Sequence, residues 1–275
     1  MRDERFIYVY CIATPDAATA ARDLEGIEDG LAPFTIAAAG LAAVASEVPA
    51  AGYDEAVLKE RLKDIDWAGR KGLRHEAVVE TSTLAGATIP LRFCTLFGSR
   101  ERVIELLERH AARLRTILDD LEGKAEWGLR AYLDRARFEA ALAAAAQDPA
   151  PGAGGGRAYL QAKKAALDAR GRADRSLAEA LAQTFAAHQE VAARAVVQPV
   201  QPVPEAGATL VLKAAFLVRM ADRARLETAA AAERSRLAPL GIELRLTGPW
   251  PPYAFVPALE AAEAEDGLPA AEVRS

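Results

Sequence analysis

Hydrophobic and polar positions follow two different periods along this chain, and the changes of period predict a mixture of strands and helices. Residues 5–13 are apolar on both alternating faces, which predicts a central strand covered on both sides. Residues 34–38 and 41–48 are two more strand-like runs, and Gly40 between them predicts a hairpin turn. The chain therefore opens with a small sheet.

Helical spacing dominates the next part of the sequence. It extends over residues 53–84, with a break expected at 66–72. Residues 89–97 form an apolar run that predicts another strand. A helix with one apolar stripe is then expected to begin after Ser99, a good N-cap residue, and to end at Gly123.

The second half of the chain also mixes strand-like and helical segments, but in a different order. Clean alternation over 124–133 predicts a half-exposed strand. Residues 135–146 are predicted to form a helix, and residues 157–196 a long helical region with a bend near Gly171. The remaining predicted elements are a strand at 209–219, a helix at 221–237 and a strand at 242–247. This order is close to the split βαβ pattern of ferredoxin-like domains.

The predicted fold class is α+β, with two α+β domains. Residues 1–122 form the N-terminal domain and residues 123–257 a modified ferredoxin-like domain with long helices. The Pro- and Gly-rich stretch near 147–157 predicts a flexible insertion, and residues 258–275 an acidic tail that frays.

Composition and charge exclude several classes of function. The net charge of the 275 residues is −5, with cations and anions interspersed, which argues against nucleic-acid binding and a polybasic membrane anchor. No apolar run reaches the length of a membrane span, so we expect a cytoplasmic protein. Cys11 and Cys94 each lie in an apolar run, where cysteine acts as a small hydrophobe rather than a disulfide partner.

The residue patterns that catalysis and metal binding require are incomplete in this sequence. His75 begins a helical string, but Val79 stands where a zinc metalloprotease helix needs its second histidine. The other two histidines, His110 and His188, are far apart in sequence, and the glycines at 152–156 lack the lysine of a phosphate-binding loop. We therefore predict a protein that is not an enzyme, with no catalytic residue, cofactor or metal.

Two segments are candidate interaction surfaces. In residues 248–256, three prolines surround aromatic side chains, so we expect a rigid loop rather than a helix or strand. Such a loop serves either as a binding surface or as a packed corner with its tryptophan buried. The second segment is 90–97, where an arginine stands among apolar neighbours. The predicted partner-binding residues are Pro90, Arg92, Phe93, Trp250, Pro251 and Tyr253.

Several of these segments resemble the GvpF/GvpL family of gas vesicle accessory proteins. The resemblance is specific in residues 247–256, TGPWPPYAFV, and moderate in the others. These are the opening strand YVYCI at 8–12, HEAVV at 75–79, IPLRFCTLF at 89–97 and KAEWGLR at 124–130. They span nearly the whole chain.

The resemblance implies a non-catalytic accessory protein of gas vesicle assembly with two α+β domains. It also implies that the partners are the small hydrophobic shell protein GvpA and other accessory proteins, and that the protein is found with the gas vesicle. The N-terminal sheet, near 34–48 and 89–97, is the surface we expect to shield the shell protein.

Other roles stay open at this point. The protein is either a transient chaperone or a minor structural component of the vesicle wall. A rival from another class is a small-molecule-binding ferredoxin-like sensor or enzyme, because that fold hosts many functions. A deep pocket with convergent polar groups would favour the rival, whereas exposed apolar patches would favour the assembly factor.

Overall fold

A computed structural model describes residues 5–146, 155–200, 204–205 and 207–257. The chain forms two compact units. The first contains the described residues up to Ala125 together with those from Trp250 onward, and the second extends from Glu126 to Pro249. Both units combine helices with a sheet, as the α+β class predicts.

The sheet of the first unit is built around its opening strand. Its strands are β1 (Arg5–Ala13), β2 (Phe34–Ala38), β3 (Leu41–Pro49), β4 (Thr88–Pro90) and β5 (Leu96–Phe97). Their order is β2-β3-β1-β4, and β5 also pairs with β1. The helices are α1 (Pro15–Thr19), α2 (Ala50–Tyr53), α3 (Glu55–Arg61), α4 (Ile65–Ala85), α5 (Arg100–Arg109) and α6 (Ala111–Leu121).

Two sequence predictions for this sheet are confirmed. Strand β1 is buried from Ile7 to Ala13, because other strands lie on both of its edges and its side chains are covered on both faces. The β2–β3 hairpin turns at Ala39 and Gly40, whose φ angles of 48° and 70° suit a tight two-residue turn.

The helical region after the hairpin breaks earlier than predicted. The interruption lies between α3 and α4, at residues 62–64, and not at 66–72. Asp64 decides the new start, since its carboxylate accepts hydrogen bonds from the backbone N–H groups of Asp66 and Trp67. The glycines within 66–72 are tolerated, because a glycine costs a helix only about 1 kcal/mol.

The predicted strand at 89–97 is wrong in its middle. The chain leaves β4 after Pro90, turns through residues 91–95 and joins β1 again as β5. Cys94 has a φ of 66°, and its backbone N–H donates to the Tyr8 hydroxyl at 3.1 Å. The Tyr8 side chain, on another strand, therefore stabilises a backbone conformation at Cys94 that the local sequence pattern does not predict. The helix predicted from Ser99 to Gly123 is likewise divided, at His110, into α5 and α6.

The second unit is organised around strands β6 and β9. Its strands are β6 (Lys124–Leu133), β7 (Arg194–Val197), β8 (Pro204–Glu205), β9 (Ala208–Arg219) and β10 (Ile242–Trp250). Its helices are α7 (Arg135–Ala146), α8 (Gly155–Gln189) and α9 (Arg223–Leu237). The strand order β10-β6-β9-β7, with β8 also on β9, is typical of the split βαβ arrangement.

Two details of this unit differ from prediction. Helix α8 runs unbroken through Gly171, and Ala173 and Ala180 on the C-terminal side of that glycine pack into the core of the unit; the bend near Gly171 stays a prediction. The chain then leaves the helix at Gln189 and forms β7, where a helix to 196 was expected. Finally, β10 extends to Trp250, so the start of the proline-rich segment is strand rather than loop.

Some of the remaining domain predictions concern residues outside those that the structure describes. Most of the insertion near 147–157 and the tail at 258–275 lie outside them. The predicted domain boundaries at 122 and 257 stay predictions.

Candidate partner-binding surface around His75

The centre of the candidate site is His75, a fully buried residue of helix α4. Its Nδ1 lies 2.8 Å from the Tyr8 hydroxyl, and its Nε2 lies 3.2 Å from the Leu91 carbonyl oxygen. The Tyr253 hydroxyl is also 3.2 Å from Nε2. One imidazole therefore joins strand β1, the turn after β4 and the C-terminal segment of the same unit.

The hydrogen bonds indicate the tautomer of this ring, and burial sets its charge. A carbonyl oxygen only accepts, so Nε2 carries the proton and donates to Leu91, while Nδ1 accepts from the Tyr8 hydroxyl. Burial lowers the pKa of His75 to about 4, so the ring is neutral at pH 7. Burial also raises the pKa of Tyr8 well above its usual value, which keeps its hydroxyl proton available as a donor.

Aromatic rings surround the imidazole. The rings of Tyr8, Tyr10 and Phe93 have centroids within 5.8 Å of the His75 ring. Tyr53 and Trp67 extend this cluster, with centroids 6.3 Å apart, and the Arg61 guanidinium lies over Trp67 at 5.5 Å. Such a cluster gives the polar centre a rigid, dry surrounding.

The loop before β2 is fastened to the same cluster. The Tyr10 hydroxyl accepts from the Ile27 N–H at 2.6 Å, and the Tyr53 hydroxyl donates to Glu28 at 2.5 Å. Lys71 of α4 forms an ion pair with Glu28 at 3.1 Å and is largely shielded from solvent. These bonds hold α4 and the strands in one arrangement.

The C-terminal segment docks on this centre through Tyr253. Its hydroxyl donates to Glu76 at 2.8 Å, and burial raises the pKa of that carboxyl group. Pro251 and Pro252 are buried and restrict the backbone, whereas the Trp250 side chain is 47% exposed. The interpretation of this segment as a corner with its tryptophan buried is therefore excluded.

The structure places the six predicted partner-binding residues at different depths. Pro90 and Pro251 are buried, Phe93 and Tyr253 are half-buried, and Arg92 and Trp250 are exposed. Two segments that are distant in sequence, residues 91–93 and 250–253, thus meet at His75. We call this the His75 surface: Arg92, Phe93, Trp250 and Tyr253.

Other parts of the expected surface lie inside the protein. Strand β3 is buried except near its end, and β4 is buried throughout. Within 34–48 and 89–97, exposed side chains are confined to a few positions such as Ala37, Glu47 and Arg92. The N-terminal sheet therefore does not present a broad open face, because its two sides form the core.

Sequence reasoning missed the role of His75. The signal was its place in the HEAVV string, in which Val78 and Val79 are also buried. A histidine three residues before a buried valine on one helix faces the core. Which groups meet it there depends on β1 and on a segment 178 residues away, and helical spacing does not reveal them.

Three features of the described residues bear on the kind of site they can form: metal ligands, thiols and long apolar helices. Over these residues, no group of three or more His, Cys, Asp or Glu is arranged to hold a metal ion. Cys11 and Cys94 are buried thiols outside any disulfide, and burial raises the pKa of each to about 12. Within the described ranges, every helix is too short or too polar to span a bilayer.

The fold and this site define an α+β protein in which a hydrogen-bonded aromatic core supports a small exposed surface. The family model for "Gas vesicle synthesis protein GvpL/GvpF" matches residues 6–257. The chain therefore belongs to the GvpL/GvpF family, and its role is that of a gas vesicle accessory protein.

Individual relatives agree with this assignment. Gas vesicle protein L of Streptomyces sp. (strain CB03234) is 32% identical, covering 93% of this chain and 94% of its own length. Gas vesicle protein F of the same strain is 30% identical, covering 90% of this chain and 98% of its own. The crystal structure of GvpF from Anabaena sp. PCC7120 is 19% identical, with a TM-score of 0.68 over 91% of this chain and 95% of that one. This last likeness concerns the fold alone.

Proposed function

We propose that this accessory protein binds the small hydrophobic shell protein GvpA through the His75 surface, and that it acts with other accessory proteins where gas vesicles form. The observation that carries this proposal is the convergence of residues 91–93 and 250–253 at His75. That convergence leaves Trp250 and Arg92 exposed above a rigid, hydrogen-bonded core.

The physical argument concerns the cost of binding. A tryptophan offers a large apolar area, and burying it against a partner gains free energy in proportion to that area. Pro251 and the Tyr253 bond to Glu76 restrict the backbone next to Trp250, so less entropy is lost when a partner binds. Arg92 is an exposed cation on the other segment that meets His75, which suits an interface of apolar centre and charged rim.

Co-purification with GvpA tests the proposal. The full chain is expressed with GvpA, and capture is compared between the wild type, Trp250→Ala and Arg92→Glu. We expect at least a tenfold loss of captured GvpA for Trp250→Ala, which corresponds to a hot-spot residue of about 1.4 kcal/mol or more. Arg92→Glu should lose less.

Matched controls separate a lost contact from a general effect. Met220 is 45% exposed and lies in the second unit, so Met220→Ala removes a similarly exposed large apolar side chain from another place. Arg109→Glu makes the same charge change on α5. Circular dichroism verifies the fold of each variant. If Trp250→Ala and Met220→Ala capture GvpA as well as the wild type does, the His75 surface is not where GvpA binds.

A further inference from the structure

Helix α4 carries large apolar side chains on the face that turns away from its own core. Ile65, Leu73 and Leu84 are 85%, 74% and 77% exposed. The opposite face, with His75, Val78 and Val79, is already buried in the first unit. Isolated exposed leucines need no explanation, but Leu73 and Leu84 lie on one side of this 21-residue helix, with Ile65 at its flank, and no element among the described residues covers that side.

The exposed positions follow the spacing that one helix presents to another. Arg70, Leu73, Ala77, Glu80 and Leu84 are all exposed and are separated by three, four, three and four residues. This is the repeat by which side chains of two helices interlock along a shared seam. Ala77 lies at the middle of the seam, where a small side chain permits close approach.

The seam is complementary to a second copy of itself in the antiparallel direction. When the two-fold axis passes near residue 75, Arg70 of one helix faces Glu80 of the other, and Leu73 faces Ala77. Leu84 lies at the end of the seam, and Ile65 lies beside the position that faces it, about 100° around the helix from Leu84. Every opposite-charge and apolar pair occurs twice, as a two-fold interface requires.

The charges of this seam interact only weakly with other charges of the chain. In the described part of the protein, the side chains of Arg70 and Glu80 form no ion pair or hydrogen bond. Arg70 adds a minor attraction to Asp29, whose pKa is lowered mainly by Arg74, and Glu80 adds a minor repulsion to Glu76, whose pKa is raised mainly by burial. Arg70 and Glu80 are ten residues apart on one straight helix, about 15 Å along its axis, so they do not reach each other within one molecule.

We infer that two copies of this protein associate through α4, antiparallel, with Arg70 of each copy paired to Glu80 of the other. This inference is independent of the His75 surface, since α4 uses its outer face here. It assigns an interaction surface and names its occupant, a second copy of the same chain.

A charge-exchange experiment tests the pairing. Sedimentation velocity on the full chain measures the dimer dissociation constant for the wild type, Arg70→Glu, Glu80→Arg and the double variant carrying both changes. Each single change places two like-charge pairs in the seam, and we expect it to weaken dimerisation about tenfold or more. The double variant exchanges the two charges, so opposite charges again face each other between the two copies. We therefore expect it to recover the wild-type dissociation constant.

Apolar controls and a cross-link complete the test. Leu73→Glu should abolish the dimer, whereas Leu167→Glu, at a leucine 63% exposed on α8, should leave it unchanged. A mixture of Leu73→Cys and Ala77→Cys chains should form a disulfide-linked heterodimer, and a mixture of Leu73→Cys with Ala112→Cys should not. Wild type that stays monomeric at all concentrations, or a double variant no better than the single ones, overturns the inference.

Discussion

Each unit of this protein buries one histidine completely, but the two histidines are used differently. His75, in the first unit, makes hydrogen bonds through both ring nitrogens to groups on separate elements of the fold. His188, in the second unit, bonds through Nδ1 to the Thr184 carbonyl oxygen one turn earlier on its own helix, at 2.7 Å. Its Nε2 has no hydrogen-bond partner among the described residues.

The difference shows that a buried polar residue does not by virtue of its burial connect separate elements of the fold. His75 holds together elements that are distant in sequence, while His188 packs against the Phe216 ring, with ring centroids 5.5 Å apart. A polar group whose partners lie on other elements specifies one arrangement of them, whereas a bond within one helix specifies nothing beyond that helix.

The largest expected effect comes from replacing each histidine by leucine. His75→Leu leaves the Tyr8 hydroxyl and the Leu91 carbonyl without their partner in the core, and we expect the free energy of unfolding to fall by about 4 kcal/mol. His188→Leu deprives no other element of a bond, so its cost should stay near 1 kcal/mol. Urea unfolding of both variants measures the two losses. Equal losses would remove the distinction between the units.

A pH series sharpens the same comparison. The pKa of His75 falls from 6.5 to about 4 on folding, so below pH 6.5 the unfolded state takes up a proton that the folded state does not. The stabilisation is complete above pH 6.5 and is lost as the pH falls toward 4, by about 3 kcal/mol. We expect the unfolding free energy of the wild type to decrease more between pH 7 and pH 4 than that of His75→Leu. Parallel curves would contradict this.

The bond between Tyr253 and Glu76 should contribute less, because it lies near the surface. Tyr253→Phe removes a hydrogen bond to a carboxylate, and we expect a loss of about 1 kcal/mol together with faster hydrogen exchange in residues 250–257. Tyr132→Phe, in strand β6, is the matched control, and it should change stability little. Unchanged exchange in the C-terminal segment of Tyr253→Phe would show that Tyr253 does not anchor it.

The smallest effect is expected in the long helix of the second unit. A Cβ added at Gly171 has Arg175 Nη1 as its nearest neighbour, at an ordinary 3.8 Å. Gly171→Ala should therefore stabilise the protein by about 0.5 to 1 kcal/mol. Gly123→Ala, at a φ of 65°, should instead destabilise it by a similar amount. Thermal unfolding compares the two, and a lower melting temperature for Gly171→Ala would mean that the helix needs glycine there.

Strands with a strong local pattern were predicted well from sequence. Strand β1 and the β2–β3 hairpin are confirmed, and β6 has the bounds that its alternation indicates. In these segments the side-chain period and the turn residues favour the same structure. The segment at 89–97 failed because Cys94 adopts a positive φ, held there by Tyr8 from another strand.

The candidate site was predicted in part. Trp250 and Tyr253 were recognised because prolines restrict the chain around them, and the structure shows the first exposed and the second docked on α4. Pro251 was included for the same reason and Pro90 as the first residue of segment 90–97, but both are buried. Local rigidity is readable from sequence, whereas the depth of a residue depends on what packs over it.

The sequence by itself determined the α+β class, most strand positions and the family resemblance, because these depend on periodicity, turn residues and short motifs within about ten residues of one another. Only the tertiary structure decided that His75 is the meeting point of residues 8, 91 and 253, and that the outer face of α4 is uncovered. The physical reason is that a hydrogen bond or an exposed face depends on which distant segments share a core, and no local period records that.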